Sequence, residues 1–414
     1  MILGTYENRH INNFDEAKTL IEKLEETIQY NVVDKRDIQA GEVIDCPIMP
    51  ECFETAPVAT IGTVGSDVHF MRLDGSKSFK IKKDLNDQMR EAMTESRLVL
   101  GYKDENGEFE PQPLALNSLP SLVNQCIGGK STVLCQTEDK NASKQMRTEV
   151  KVAILNEFLS LRNDKCKIYK CDGMVRYVAG DTYVYLPISE LLNALEKEIK
   201  DTYNSATFVS ADISHQYVEV LYTLNDDVLR DEIANILGMA GITEKYEPAI
   251  LFTTSNTGDC GANLHPILLG NGNKFLVIEE PENMEHTGTA STERFTNNVK
   301  GLMALFKTTP ERLESLSQIS LKHPANAYRN VALKSNIPLA AFQDQADDFE
   351  ATFGNLATAL DLYVELSNAL YAYADAKGMD VLRRTKILNS LSQKFLSIDR
   401  LTECDVDVDF TKAS

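Results

Sequence analysis

The sequence predicts an α+β fold: a mixed or antiparallel sheet core built with hairpins, an N-terminal helix and a C-terminal helical hairpin. Two Asp-Gly pairs, Asp74-Gly75 and Asp172-Gly173, each separate strand-like runs, and such pairs favour the type I′ turn that matches strand twist. Strand and helix patterns interleave without the regular spacing of βαβ units. From about Ser291 onward helical periods dominate. These observations divide the chain into an N-terminal helical arm (1–40), a sheet core (41–290) and a C-terminal helical region (291–414).

In chain order, Asn13 stands three residues before Glu16 in a capping-box spacing, and Ala17, Leu20, Ile21, Leu24 and Ile28 form one helical stripe. The prolines at 47, 50 and 57 mark a loop into the core. Between the two hairpins, Leu85, Met89, Ala92 and Met93 predict one helix. Met146, Val150, Ala153, Ile154, Phe158 and Leu161 predict another behind Ser143. Ser189 is expected to cap a helix carrying Leu192, Leu195 and Ile199, with strand alternation resuming from Gln216 to Thr223. Further strands are expected at 249–252, 266–269 and 274–278. A long helix is expected through Phe349, Phe353, Leu356, Leu360, Tyr363, Leu370 and Ala374. Gly378 stops it, Asp380 caps the next helix, and Leu388, Leu391, Phe395 and Ile398 complete the hairpin. The alternating Glu403-Cys404-Asp405-Val406-Asp407-Val408-Asp409-Phe410 is expected as an edge strand with its carboxylates in water.

Composition bounds the function classes. A 414-residue chain, 43% hydrophobic and 25% charged, is of globular type and long enough for about two to three packed units. No run of roughly eighteen apolar residues is present. The opening Met1-Ile2-Leu3-Gly4-Thr5-Tyr6-Glu7 lacks the basic-then-apolar order of a leader, so no membrane partner is expected. Eight cysteines without repeated CxxC spacing point to a reducing cytoplasm rather than a disulfide scaffold or structural zinc. The net charge of −20 repels nucleic acid at long range, so contact with a polyanion has to rest on a local basic patch.

The first hairpin supplies such a patch: Arg72, Lys77, Lys80, Lys82 and Lys83 against Asp74 alone, a local charge of about +4, with Phe70 and Phe79 interleaved. The second carries Lys165, Lys167, Lys170 and Arg176 beside Tyr169 and Tyr177. Cations that neutralise phosphates and rings that stack on bases together suit single-stranded nucleic acid. A solvated strand face with aromatics inward gives the same pattern.

The segment from Thr253 to His265 is the best equipped for chemistry. It offers Ser255, Asp259, Cys260 and His265 as candidate catalytic groups, with Gly258 and Gly261 able to expose backbone amides. Small polar residues also simply make turns. Ile127-Gly128-Gly129-Lys130-Ser131-Thr132 has the end of a P-loop, but Asn124 stands where the first glycine belongs and the preceding residues read as helix. Glu282, Glu285 and His286 read as an acid-rich first helical turn, and Cys166 and Cys171 fall on opposite strand faces, so no metal and no cofactor is expected.

The order of these motifs resembles the phage- and plasmid-borne family catalogued as domain of unknown function 932, over about residues 90–335. The resemblance is carried by Asp172-Gly173-Met174-Val175-Arg176, by Thr182-Tyr183 leading to Ile188-Ser189-Glu190-Leu191-Leu192, by Thr254-Ser255-Asn256-Thr257-Gly258-Asp259-Cys260-Gly261, and by Glu285-His286-Thr287-Gly288. Gly180-Asp181-Thr182-Tyr183 departs from the family's Ser-Asp-x-Tyr form. The resemblance implies a mobile-element origin, in the cytoplasm of a bacterial host, more than a mechanism. The leading expectation is a non-catalytic accessory protein acting in mobile-element DNA metabolism through weak single-stranded nucleic-acid binding. Three alternatives stay open: a protein-binding module that counteracts a host defence or other host factor, an enzyme using the Ser255–His265 loop, and a virion or scaffold component. The terminal helical stripes also suit a homo-oligomer interface.

Overall fold

The computed structural model describes residues 2–4, 7–43, 60–64, 67–71, 78–81, 96, 98–103, 109–129, 131–135, 148–271, 274–278, 281–379, 381–395 and 398–408. Its strands are β1 (Arg9–Ile11), β2 (Gln29–Asp34), β3 (Gln39–Val43), β4 (Thr60–Val64), β5 (Asp67–Met71), β6 (Ser78–Ile81), β7 (Leu98–Lys103), β8 (Phe109–Pro113), β9 (Lys165–Cys171), β10 (Met174–Gly180), β11 (Thr207–Ile213), β12 (Val218–Thr223), β13 (Glu247–Thr254), β14 (Ala262–Leu269), β15 (Phe275–Val277) and β16 (Glu282–Met284). The principal helices are α1 (Phe14–Glu25), α2 (Leu119–Ile127), α3 (Thr148–Ser160), α4 (Ile188–Thr202), α5 (Asp227–Met239), α6 (Thr292–Leu305), α7 (Thr309–Gln318), α8 (Pro324–Lys334), α9 (Gln345–Phe353), α10 (Ala359–Lys377) and α11 (Val381–Phe395).

The fold is α+β. A seven-stranded sheet runs β1-β11-β12-β13-β14-β15 with β16 also paired to β14; a three-stranded sheet runs β10-β9-β2, and a six-stranded one runs β6-β5-β4-β3-β7-β8. In the large sheet every pairing is antiparallel. Strand β12 lies in its interior and every one of its residues is buried, so both faces of the sheet need cover. On one face Tyr222 bonds Glu196 of α4, and the Phe252 and Phe295 rings meet at 5.2 Å, the latter from α6. On the other face the α10–α11 hairpin lies over the sheet. Tyr371 Oη accepts from Phe275 N at 2.8 Å, and Asn389 Oδ1 lies 3.1 Å from His265 Nδ1.

Local sequence rules account for many of the elements. Asn13 caps α1 by accepting from Glu16 N at 3.0 Å, and Ala17, Leu20, Ile21 and Leu24 are buried as the stripe requires. Asp172 and Gly173 both have positive φ, 50° and 81°, as a type I′ turn demands, and the turn pairs Cys171 with Met174. Strands β5 and β6 form the other hairpin, with Phe70 across from Phe79 and His69 across from Lys80; its Asp74-Gly75 turn lies outside the described residues. The helix expected from Leu85 to Met93, and the caps expected at Ser143 and Asp380, also lie outside them. Gly378, with φ 62°, ends α10.

Five expectations need correction. Helix α3 buries Val152, Leu155 and Leu159, whereas Val150, Phe158 and Leu161 of the expected stripe are exposed, Leu161 by 71%. The helix is apolar on two faces, and Asn156 selects between them by pairing with Ala40 N and O at 2.7 and 3.0 Å. The single helix expected from Phe349 to Ala374 is two helices. Gly354 takes φ 51° after α9, and a Thr358/Asp361 capping box starts α10. Ser189 is not a cap, because α4 begins at Ile188 behind Pro187, and Ser189 N and Oγ bond the Glu25 carboxylate. Residues 403–408 are not an edge strand. Asp405 accepts from Lys322 N and His323 N, which ties the segment across the start of α8. Likewise Glu282–Met284 is the strand β16, not a helical turn.

The hairpin holds through its buried stripe, and Leu360 is fully buried at the start of α10. Leu360→Ala is expected to cost about 2–5 kcal/mol through lost burial and a residual cavity. A urea midpoint shows this as a downward shift at unchanged slope; an unmoved midpoint would place Leu360 outside the core.

Candidate functional site

The antiparallel register of the large sheet aligns His10, Asp212, Glu219, Thr253, Asn263 and Asn283 in one polar row across β1, β11, β12, β13, β14 and β16. The next row on the same face is Ser210, Leu221, Leu251 and His265. Side chains two residues apart on a strand share a face, so both rows look toward the α10–α11 hairpin. Between sheet and hairpin lies a cavity of ≈ 250 Å³. Ser210, Asp212, Glu219, Leu221 and Leu251 line it from the sheet, Lys274 and Phe275 from β15 and its approach, and Tyr371, Asp375 and Arg384 from the hairpin. His10 stands at its mouth, with Nδ1 3.2 Å from the Asp212 carboxylate. Another cavity, ≈ 170 Å³ between β15 and α7, is walled mostly by apolar groups such as Leu313, Leu316 and Phe395.

Glu219 is the centre of this site. It is 8% exposed, and burial, reinforced by Asp212 and partly offset by Arg384, pushes its carboxyl up to about 7. Its Oε2 has no hydrogen-bond partner. Arg384 lies with its guanidinium carbon 4.8 Å from the centre of the Tyr371 ring, and its Nε is also without a partner. An acceptor and a donor, both withdrawn from water and both unpaired, therefore belong to side chains that line one cavity. Sequence reading missed both residues. The legible signal was an acid between Val218 and Val220 in an otherwise apolar strand, Val-Glu-Val-Leu-Tyr-Thr.

The loop singled out in the sequence adjoins this site. Thr253 Oγ1 lies 3.2 Å from His265 Nε2 and also hydrogen-bonds Cys260. With Asn389 Oδ1 as acceptor, the His265 proton belongs on Nδ1 and Nε2 accepts from Thr253. The structure thus brings Cys260 and His265 together through one hydroxyl, in states opposed to nucleophilic catalysis. Burial pushes the Cys260 thiol up to about 12 and drives His265, fully enclosed, down to about 4. Ser255 is fully buried and organises the turn: its Oγ donates to Gln216 O at 2.5 Å and accepts from Thr257 N and Asp259 N. Asp259 accepts from the Thr257 hydroxyl at 2.8 Å, and its carbonyl accepts from Lys386 Nζ at 2.8 Å. Gly258, at φ 75°, and Gly261 serve close packing. A Cβ on them would stand 2.2 Å from Tyr177 Oη and 2.6 Å from Met284 O.

The candidate nucleic-acid residues divide. Arg72, Lys77, Lys82 and Lys83 lie outside the described residues, and Lys80 lies on β6. On the second hairpin Lys165 is exposed, Lys170 half-buried, and Lys167 Nζ donates to Tyr183 O at 2.5 Å. Arg176 is 1% exposed and its Nε donates to Cys171 O, so it does not belong to a surface. The cause is a bulge between Val175 and Tyr177, which breaks the alternation and turns three successive residues inward.

Among the described residues no three or more His, Cys, Asp or Glu gather in a metal-holding group, and no helix is long and apolar enough to cross a membrane. His286 is buried, its Nδ1 donates to Val184 O at 3.2 Å, and its ring stacks on Tyr183. Cys166 and Cys171 lie in different apolar clusters. Gly128 is the left-handed cap of α2, so the Gly-Gly pair follows a helix rather than a strand. No family model matches the chain, and neither a curated protein nor a solved structure is significantly similar to it.

The raised Glu219 carboxyl has a thermodynamic signature. In the unfolded chain it ionises near its ordinary 4.5; in the fold it does so near 7. The stability tied to its neutral form is fully present below about 4.5 and is lost as pH rises through about 7. The facing groups are Asp212 with its partner His10, Arg384, the Cys260 thiol and the Tyr371 hydroxyl. The last two are pushed up by burial and stay neutral across this window. Glu219→Gln removes the slope. Its stability relative to the wild type is expected to rise between about pH 4.5 and 7, by on the order of 2–3 kcal/mol. Urea midpoints across that range test it, and a constant difference would mean that Glu219 ionises as an ordinary carboxyl.

Proposed function

We propose that the protein binds a small polar molecule in the cavity between the large sheet and the α10–α11 hairpin, and that Glu219 exchanges a proton with it. The observation that carries this reading is that two side chains lining one cavity, Glu219 and Arg384, each carry a buried polar atom without a partner, Oε2 and Nε. A carboxyl that titrates near neutrality donates or accepts a proton with equal ease, which is what general acid–base work requires. The guanidinium keeps its charge at any working pH and offers a fixed donor edge for negative charge on the ligand. An unpaired buried acid costs several kcal/mol unless something completes it. A ligand bound there supplies the missing partner. The test is thermal denaturation at neutral pH against a broad panel of polar metabolites. At least one chemical class is expected to raise the melting temperature of the wild type and not of Glu219→Gln or Arg384→Met; a panel that moves none of the three overturns the reading.

A second reading, an accessory role in mobile-element DNA metabolism within a bacterial cytoplasm, is favoured by the β5–β6 hairpin. Its strand β6 ends the six-stranded sheet, and Lys80 sits on that edge strand within the most basic stretch of an acidic chain. Arg176 is not part of this surface. The chain is expected to bind a labelled single-stranded oligonucleotide at low salt and release it steeply as salt rises, with Lys80→Glu and Lys82→Glu together abolishing binding. Absence of binding at low salt removes this reading.

A further inference from the structure

The cavity at Glu219 holds charges of both signs that do not neutralise one another. Arg384 and Lys274 are cations, Glu219 and Asp375 carboxylates, and among the described residues no ion pair joins any two of the four. Glu219, more than nine-tenths buried, lines the same cavity as Arg384, and each of the two side chains carries a buried polar atom without a partner, Oε2 and Nε. Resting on the small-molecule reading above, we propose that the ligand is a small zwitterion of the α-amino-acid type, with its carboxylate on the guanidinium edge of Arg384 and its ammonium on the free oxygen of Glu219.

Each part of the cavity has a counterpart in such a molecule. The Arg384 guanidinium lies over the Tyr371 ring, and a guanidinium presents parallel N–H groups suited to the two oxygens of a carboxylate. Lys274, half-buried, also lines the cavity and adds positive charge. An ammonium has only donors, which suits an acceptor-only carboxylate such as ionised Glu219. Asp375, exposed at the mouth, adds negative charge for a cation on its way in. Leu221, Leu251 and Phe275 are buried and give the remaining wall an apolar surface for a side chain. At ≈ 250 Å³ the cavity is just below the range of about 300 Å³ and upward that holds drug-sized ligands, so it suits an amino acid better than a nucleotide. A lone anion would leave Glu219 unpartnered, and a lone amine would leave Arg384 so. A molecule carrying both charges satisfies each of them.

Isothermal titration at neutral pH with glycine, alanine, leucine, glutamate and lysine tests this, beside propionate, propylamine and inorganic phosphate as single-charge probes. At least one amino acid is expected to bind tenfold or more tightly than every single-charge probe. Arg384→Met should weaken it at least tenfold while leaving propylamine unchanged, and Glu219→Gln should weaken it similarly while leaving propionate unchanged. If either variant fails to fold, Ser210→Leu, which narrows the cavity without touching its charges, is expected to abolish amino-acid binding alone. Propionate or phosphate binding as tightly as the best amino acid would make this an anion site and overturn the zwitterion. If no amino acid binds while another class in the metabolite panel does, the ligand class is wrong and the small-molecule site stands. If nothing in either panel binds, both readings fall.

Discussion

The structure depends on the burial of β12 on both faces. A strand of the sequence Val-Glu-Val-Leu-Tyr-Thr, enclosed along its whole length, cannot lie in a sheet with one wet side. Helical cover is therefore required above and below. The amphipathic helices α1, α4 and α6 meet one face through the even-numbered β12 side chains, of which Tyr222 reaches Glu196. The odd-numbered side chains face the α10–α11 hairpin. The C-terminal third of the chain thus closes the sheet rather than forming an appendage, and the Tyr363 hydroxyl bonded to Val277 O and Tyr371 to Phe275 N join the two layers.

That closure creates the conflict on which the candidate site rests. Local preference and burial agree almost everywhere in the large sheet, and they disagree at Glu219. An apolar residue there would pack against Leu251 and Tyr371 at no electrostatic cost, whereas the carboxyl is pushed up to about 7 and left with a free oxygen. Natural folds break such a rule mainly where the exception serves a purpose. The surrounding polar row is consistent with that. His10 and Asp212 pair on one side of Glu219, and Thr253 bonds His265 on the other, whereas Arg384 Nε has no partner.

What could be read from the sequence was local. Asn13 before Glu16, Asp172-Gly173 and Gly378 after α10 are decided within a few residues, and each does what its chemistry requires. The misreadings share a cause as well. The face of α3, the inward turn of Arg176 and the place of Ser189 are set by Ala40, by a bulge and by Glu25 respectively, partners outside the local window or irregularities of pairing. The candidate site belongs wholly to this second kind. Asp212, Glu219 and Thr253 become neighbours only through strand register, and Arg384 reaches them from more than a hundred residues away. The Ser255–His265 loop was legible as rich in functional groups. Its burial, which removes the thiolate and the imidazolium, was not.

The same dependence on distant partners explains how the smaller sheet is held to the larger one. Asp172 adopts its positive φ to turn the β9–β10 hairpin, and its carboxylate accepts from Ile2 N and Leu3 N while lying 3.6 Å from His215 Nε2. Burial alone would raise this carboxyl. The hydrogen bonds from His215, Leu3 and Ile2 outweigh burial and hold it below its ordinary range. His215, between β11 and β12, also meets Leu3 O at 3.0 Å. One turn residue therefore fastens the N-terminal segment, the small sheet and the β11–β12 connection together. That connection leads directly into Val218 and Glu219, so the register that assembles the polar row is anchored at one end by a carboxylate whose local role was only to make a turn.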